Sequence, residues 1–251
     1  MAAAAADGVK SVARVFDLLE LIADAGGSVT LSELSTAAGL PLPTIHRLLR
    51  TLVSLGYARQ LQNRRYALGP RLVRLGEVAN RQFGQIAMPQ LKELVERLGE
   101  TANLATIDGD RVIYVSQAPS PHAMRMFTEV GRRVYMHSSG VGKAILAQLD
   151  DAEVRDIIGR TGMPHATENT IATVDGLLSE LADIRRRGYA IDEGEQEIGV
   201  RCYAMAVPNM PVPTAVSVSG PRARVDDAFG ERAIPVLTEV TSEISALANA
   251  E

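Results

Sequence analysis

Residues 30–69 read TLSELSTAAGLPLPTIHRLLRTLVSLGYARQLQNRRYALG. Thr30 followed three residues later by Glu33 is a capping-box pattern, and it predicts a helix running to about Ala38. Gly39-Leu40-Pro41 supplies a turn. Ile45, Leu48, Leu49, Leu52 and Leu55 then recur at helical spacing, and Gly56 ends the run. Tyr57–Leu61 and Arg65–Leu68 read as two short strands around the tight turn Gln62-Asn63-Arg64. Upstream, Val12, Val15, Phe16, Leu19 and Ile22 form the stripe of a helix over 9–24, closed by Gly26-Gly27. Three helices, the last two joined by a short Gly/Pro turn, and then a hairpin make a winged helix-turn-helix.

The exposed face of the third helix carries Thr44, His46, Arg47 and Arg50, with Thr51 and Ser54 beyond. A helix that enters the major groove of double-stranded DNA needs a polar, basic outer face with base-reading groups near its N-terminus. Thr44, His46 and Arg47 stand there, and Arg50 follows one turn on. Arg59, Arg64 and Arg65 on the wing are placed for phosphates or the minor groove. Charge supports this reading. Residues 41–76 hold seven arginines and no acid. Residues 1–86 carry 10 Lys+Arg against 6 Asp+Glu, whereas 87–251 carry 16 against 24. A basic head on an acidic body suggests two modules with different partners.

Composition narrows the rest. A chain of 251 residues with 46% hydrophobic residues is long enough for a sizeable core. A single Cys excludes an internal disulfide framework and multi-cysteine zinc sites. His46, His122, His137 and His165 show no metal-binding spacing, so neither a metal nor another cofactor is expected. Met1–Ala6 lacks the basic and apolar regions of a signal peptide. The charge-free stretch Cys202–Pro221 is interrupted by Pro208, Pro211 and Pro213, which argues against a membrane span. A cytoplasmic location is expected.

Gly69-Pro70 breaks the wing, and Leu72, Leu75, Val78 and Ala79 lie along one side of a connecting helix to about Gln82, with Arg71, Arg74 and Arg81 off that stripe. The expected organisation is a DNA-binding domain over 1–69, a connector over 70–86 and a second domain over 87–251. In the second domain helices are predicted at the Leu91–Leu98 stripe, 140–149, 151–159, 173–187 and 229–248. Strands are predicted at 101–107, 111–117, 124–130, 189–191, 200–207 and 214–219. That order fits an antiparallel sheet flanked by helices, an α+β class.

Four features of this half carry candidate chemistry. Ser138-Ser139-Gly140-Val141-Gly142-Lys143 lacks the first glycine of a phosphate loop and has Ala144 where Ser or Thr would meet magnesium. It reads instead as a glycine-rich helix start, either simply capped or offering N–H groups to a small carboxylate. Alternation on 215–219 puts Ser217 and Ser219 on one face, which suits either a polar ligand or a solvent-facing strand edge. Asp192 opens the acidic run 192–197, of a kind that most often forms a solvated loop. Cys202 lies on an apolar strand, where a lone Cys is usually inert packing.

The blocks LSELSTAAGLPLPTIHRLLRTLVSLGYARQ, RRYALGPRLVRLG, HSSGVGKAILA, RRRGYAIDEGEQEIGVRCYAMAV and AVSVSGPRARV together closely resemble the IclR family of bacterial transcription regulators. The resemblance implies a winged helix-turn-helix joined by a linker helix to a GAF/PAS-like antiparallel-sheet sensor domain, assembled as a homodimer or homotetramer. In the members that sense glyoxylate or pyruvate, it implies an effector pocket formed by backbone at Gly140 and Val141 with Asp192, Cys202, Ser217 and Ser219. Val141 stands where Ala is frequent, which matters little to a backbone contact. The set is similar to the AllR-type subgroup of allantoin-utilisation repressors. The function so implied is a ligand-responsive DNA-binding transcriptional repressor that senses a small 2-oxo acid, glyoxylate first, or an allantoin-pathway metabolite. Activation with another carboxylate effector is the alternative, since the family does both. A cysteine enzyme acting on a small aldehyde acid, with Cys202 as nucleophile and His137 as base, is the remote one. No motif joins those two residues, and no catalytic residue is assigned.

Overall fold

The computed structural model describes residues 9–83, 87–126 and 128–249. Met1–Ala6, residues 84–86 of the expected connector, Phe127 of an expected strand and the Arg81 side chain lie outside that description. The chain divides into two units, Met1–Ala79 and Asn80–Glu251, so the division falls within the connecting helix.

In the first unit α1 (Lys10–Asp24), α2 (Leu31–Ala38) and α3 (Leu42–Leu55) precede β1 (Ala58–Gln60) and β2 (Tyr66–Leu68). The capping box is complete. Glu33 N–H donates to Thr30 Oγ1 at 3.2 Å, and Thr30 N–H donates to the Glu33 carboxylate at 2.7 Å. Gly56 ends α3 in the left-handed region, at φ 79°, where a side chain would be strained. Leu18, Ile22, Leu34, Ile45 and Leu49 are wholly buried and form the core of this unit. The α1 stripe divides differently from the expected pattern. Leu18 joins the core, while Val12 and Phe16 face outward. β1 and β2 pair antiparallel, and an isolated bridge from Val29 to Tyr66 extends the wing. That bridge is one residue wide and leaves no periodicity to read.

α4 (Arg71–Phe83) is the connecting helix. Leu72 packs half-buried against the first unit's core, but Val73, Leu75 and Val78 are exposed.

The second unit contains α5 (Met88–Leu98), β3 (Thr101–Asp108), β4 (Arg111–Ala118), β5 (Arg133–Val134), α6 (Gly140–Leu146), α7 (Asp151–Thr161), α8 (Val174–Arg187), β6 (Ala190–Asp192), β7 (Val200–Ala206), β8 (Thr214–Pro221) and α9 (Asp227–Ala248). The strands form one six-stranded antiparallel sheet in the order β5-β4-β3-β8-β7-β6. Each face has its own core. Leu104, Val216 and Val218 pack with Leu91 and Leu94 of α5 and Leu237 of α9. Ala105, Tyr114, Cys202, Ala204 and Ala215 pack with Val141 and Ile145 of α6 and Leu181 of α8. The class is α+β, as expected.

Two expectations are corrected. The described residues of 124–130 form no strand, and the short edge strand is β5 instead. The carbonyls of that segment have other partners: Thr101 Oγ1 donates to Met126 O at 3.1 Å and Arg224 to Met124 O at 2.8 Å. The strand bearing Ser217 and Ser219 is no edge either. β8 lies between β3 and β7, so the serines are 1% and 5% exposed.

Candidate functional site

The basic face of the first unit follows from α3. Its apolar stripe is turned inward at Ile45, Leu49 and Leu52, which leaves His46, Arg47 and Arg50 exposed and Thr44 half-buried at the N-terminal turn. Arg59 on β1 and Arg64 in the hairpin turn are exposed too. Arg64 adopts φ 62° in a turn closed by its N–H to Leu61 O at 2.9 Å, which puts it at the wing tip. Among the described residues, Arg47, Arg50, Arg59 and Arg64 form no ion pair within the protein.

Arg65 differs from these four in having side-chain partners within the protein. Its guanidinium donates to Ser28 Oγ at 3.1 Å, Ser28 O at 2.8 Å and the Glu33 carboxylate at 3.2 Å. Through Nε and Nη2 it ties the wing to the start of α2. Sequence spacing cannot reveal this, because Ser28 and Arg65 are 37 positions apart.

In the second unit, strand register assembles the predicted pocket residues. Asp192 of β6 lies opposite Cys202 of β7, and Cys202 lies opposite Ser219 of β8. The next row on the same face holds Ala190, Ala204 and Ser217. Gly140 at the start of α6 covers Cys202. A Cβ on Gly140 would stand 2.9 Å from Cys202 Sγ and 3.3 Å from Ala204 Cβ, so only glycine permits this approach. Asp192, Cys202, Ser219 and Gly140 line one small cavity together with Tyr114, Met126, Thr128, Gln196, Glu197 and Val200. Its volume of ≈ 20 Å³ admits a water-sized group and lies far below the roughly 300–1,000 Å³ of drug-sized pockets. Ser217 lies one row further in. The Val141 side chain points into the α6 core, so only its backbone remains available. Ser139 Oγ accepts from Gly142 N–H at 3.2 Å. The Gly140 and Val141 N–H groups have no protein acceptor among the described residues.

Burial raises Asp192 to a pKa of about 7, and the charge of Glu195 adds to the rise. The bond from Glu195 N–H to Asp192 Oδ1, at 2.7 Å, and the nearby Lys143 act the other way. Near neutrality Asp192 is thus a mixture of carboxyl and carboxylate. Burial also pushes the Cys202 thiol up to about 12, so it stays protonated.

The acidic run is not a solvated loop. Glu195 is buried and ion-paired to Lys143, itself 1% exposed, and Lys143 lies 3.5 Å from Glu180. Glu180 in turn meets Arg187 at 2.8 Å. Thr170 Oγ1 donates to Glu195 O at 2.6 Å, and Thr167 Oγ1 to Gly194 O at 2.7 Å. In the sequence Lys143 stands at the lysine position of an incomplete phosphate loop. A charge inside the apolar run VGKAIL of a short helix was the available signal for a buried pair.

The Cys202–His137 pairing is not formed. His137 is wholly buried, its Nε2 lies 3.2 Å from Pro164 O, and its ring packs edge-on to Tyr135. It is absent from the residues lining the cavity. Among the described residues, no group of three or more His, Cys, Asp or Glu is arranged to hold a metal, and no helix is long and apolar enough to cross a membrane.

Comparison with known proteins covers both units. The IclR helix-turn-helix domain model matches residues 11–62, and the model of the bacterial transcriptional regulator IclR C-terminal matches 77–246. The transcriptional repressor IclR of Escherichia coli K12 is 38% identical over 244 residues, covering 93% of this chain and 89% of that protein. The repressor AllR of the same organism is 32% identical, covering 88% and 83%. A crystal structure of an IclR transcriptional regulator from Alicyclobacillus acidocaldarius superposes with a TM-score of 0.85 at 29% identity, covering 96% of this chain and 99% of that one. These relatives are transcription regulators and not enzymes. Identity to AllR is below that to IclR, so the comparisons do not select the AllR-type subgroup.

Proposed function

The chain belongs to the IclR family of DNA-binding transcriptional regulators, and from that premise we propose that it is a repressor whose second unit senses a small 2-oxo acid, glyoxylate first. The single observation that carries the effector reading is the cross-strand row Asp192, Cys202, Ser219 under the glycine start of α6.

The chemistry of that row suits a two-ended ligand. Serine hydroxyls and the Gly140 and Val141 N–H groups donate to a carboxylate through charge-assisted hydrogen bonds. Asp192, as a neutral carboxyl, donates to the ligand's carbonyl oxygen or meets a hydrate hydroxyl; as a carboxylate it repels an anion held too close. The small cavity favours a ligand of a few heavy atoms over an aromatic acid, and Met126, Thr128, Gln196 and Glu197 must give way to admit even that. Cys202 contributes shape and a weak S–H donor.

In the first unit we assign base reading to Thr44, His46 and Arg47, and phosphate or groove contacts to Arg50, Arg59 and Arg64. The chain acts as a homodimer or homotetramer. Exposed apolar side chains on α1 and α4 support this, Phe16 at 62% and Leu75 at 51% among them. Effector binding weakens operator affinity by favouring one arrangement of the assembly; equal affinity for both arrangements would shift nothing.

The test is a calorimetric titration of the full chain with glyoxylate, against pyruvate, allantoate and an aromatic acid. Saturable glyoxylate binding, lost in Asp192→Ala and in the double change Ser217→Ala with Ser219→Ala, is the expected result. Binding of the aromatic acid alone, or binding that survives the serine changes, overturns the assignment.

A further inference from the structure

We infer that Asn103 is a positioning residue for the effector: its side-chain amide, held by Gln117, sets the Ser217 and Ser219 hydroxyls as donors toward a carboxylate. The inference rests on the pocket reading above.

Asn103 of β3 is 1% exposed and lies opposite Ser217 on one side and Gln117 on the other. Gln117 Nε2 donates to Asn103 Oδ1 at 3.1 Å. With its oxygen engaged, Asn103 turns its NH2 group to the serines, where Nδ2 lies 3.5 Å from Ser217 Oγ and 3.3 Å from Ser219 Oγ. A hydroxyl has one hydrogen and two lone pairs. Once a lone pair accepts from Asn103, the hydrogen is released to a different acceptor. Ser219 lines the cavity, and Ser217 faces the Cys202 sulfur, a weak acceptor that a ligand oxygen readily replaces.

A backbone irregularity puts Gln117 in place. The register of β3 and β4 shifts between Leu104 and Ala105, so that Ala105 pairs with Tyr114 and Leu104 with Ser116. Val115 is the extra residue. Tyr114 and Gln117 therefore share the pocket face, although they are three positions apart and strict alternation would put Ser116 there.

Two hydroxyls locked as donors discriminate by chemistry. A carboxylate only accepts and satisfies both. A carboxamide brings an N–H group, which a hydroxyl already accepting from Asn103 meets only with its second lone pair, its own hydrogen then turned away from the ligand. Carboxylate selectivity thus depends on a residue outside the cavity lining.

The experiment measures, by calorimetry on the full chain, the ratio of affinities for pyruvate and the isosteric neutral pyruvamide. Thermal unfolding and circular dichroism report the fold in parallel. The native chain is expected to prefer pyruvate. Asn103→Asp keeps the shape but accepts from both hydroxyls, and the ratio should fall by about tenfold or more. Gln117→Leu, at a half-buried position, frees the amide to rotate and should lower the ratio by about threefold. If Asn103→Asp does not fold, Gln117→Leu decides. An unchanged ratio in the folded variants, with serine-dependent pyruvate binding intact, overturns the role of Asn103 and leaves the pocket standing. No binding of pyruvate or glyoxylate by the native chain, or binding that survives the double serine change, overturns the pocket and this inference with it.

Discussion

Asp192 is the residue on which pH acts. Its folded pKa of about 7 lies above the ordinary carboxyl value of 3.8, with Glu195, Glu197 and Lys143 beside it. The folded protein therefore keeps a proton that the unfolded chain releases. This contribution to stability is present at low pH and is lost as pH rises from about 4 to about 7. Asp192→Asn should gain stability relative to the native chain at pH 8 but not at pH 4, in thermal unfolding followed at both. Carboxylate affinity should fall by about tenfold per pH unit above 7 in the native chain, and that slope should vanish in the Asn variant. A native titration that is level from about pH 6 to 9 contradicts the placement of Asp192 against the ligand. Two arginines of the first unit, one on α3 and one on the wing, separate just as sharply. Arg47→Ala should weaken operator binding by about 1–3 kcal/mol and relax base choice. Arg65→Ala should instead lower stability by about 1–2 kcal/mol, since its bonds to Ser28 and Glu33 are internal. Competition binding on mutated operators and denaturant melts tell the two apart.

At the scale of elements, α6 and the loop after β6 act as one piece. Lys143 joins them through Glu195 and also faces Glu180. Lys143→Met leaves the buried Glu195 without its cation, while Glu180 keeps Arg187, and should cost about 3–5 kcal/mol of stability in urea unfolding. A cost below about 1 kcal/mol would mean that the pair is dispensable. The loop holds Asp192 because the Thr167 and Thr170 hydroxyls donate to its Gly194 and Glu195 carbonyls on the other side. The rigidity of the wing has a comparable origin. The capping-box Glu33 also receives Arg65, so one carboxylate orders both the start of α2 and the base of the hairpin.

For the whole molecule, the apolar side chains left exposed on α1 and α4 carry the prediction. Val12 and Phe16 of α1 and Val73, Leu75 and Val78 of α4 find no cover within the described chain. The native protein should sediment as a dimer or tetramer, and Leu75→Glu with Val78→Glu should shift it toward monomer and reduce operator affinity together. A native monomer at micromolar concentration contradicts the assembly. A winged helix alone reads few base pairs, and paired half-sites multiply that readout.

Sequence alone determined what is local. The Thr30–Glu33 cap, the α3 stripe, the glycine at the end of α3 and the alternation of Ser217 and Ser219 all depend on residues within four positions of each other, where backbone geometry fixes which side chains meet. The resemblance of whole blocks added the family, and with it a set of pocket positions that no single spacing implied. Tertiary structure decided what is distant. It bound Arg65 to Ser28 and Glu33, and it left the described residues of 124–130 outside the sheet, with Arg224 on the Met124 carbonyl. It buried Lys143 and Glu195, and through a bulge at Val115 it set Gln117 against Asn103. The physical reason is strand register. A sheet joins residues as far apart as Asn103 and Ser219, 116 positions along the chain, and that pairing depends on packing across both faces rather than on any local pattern.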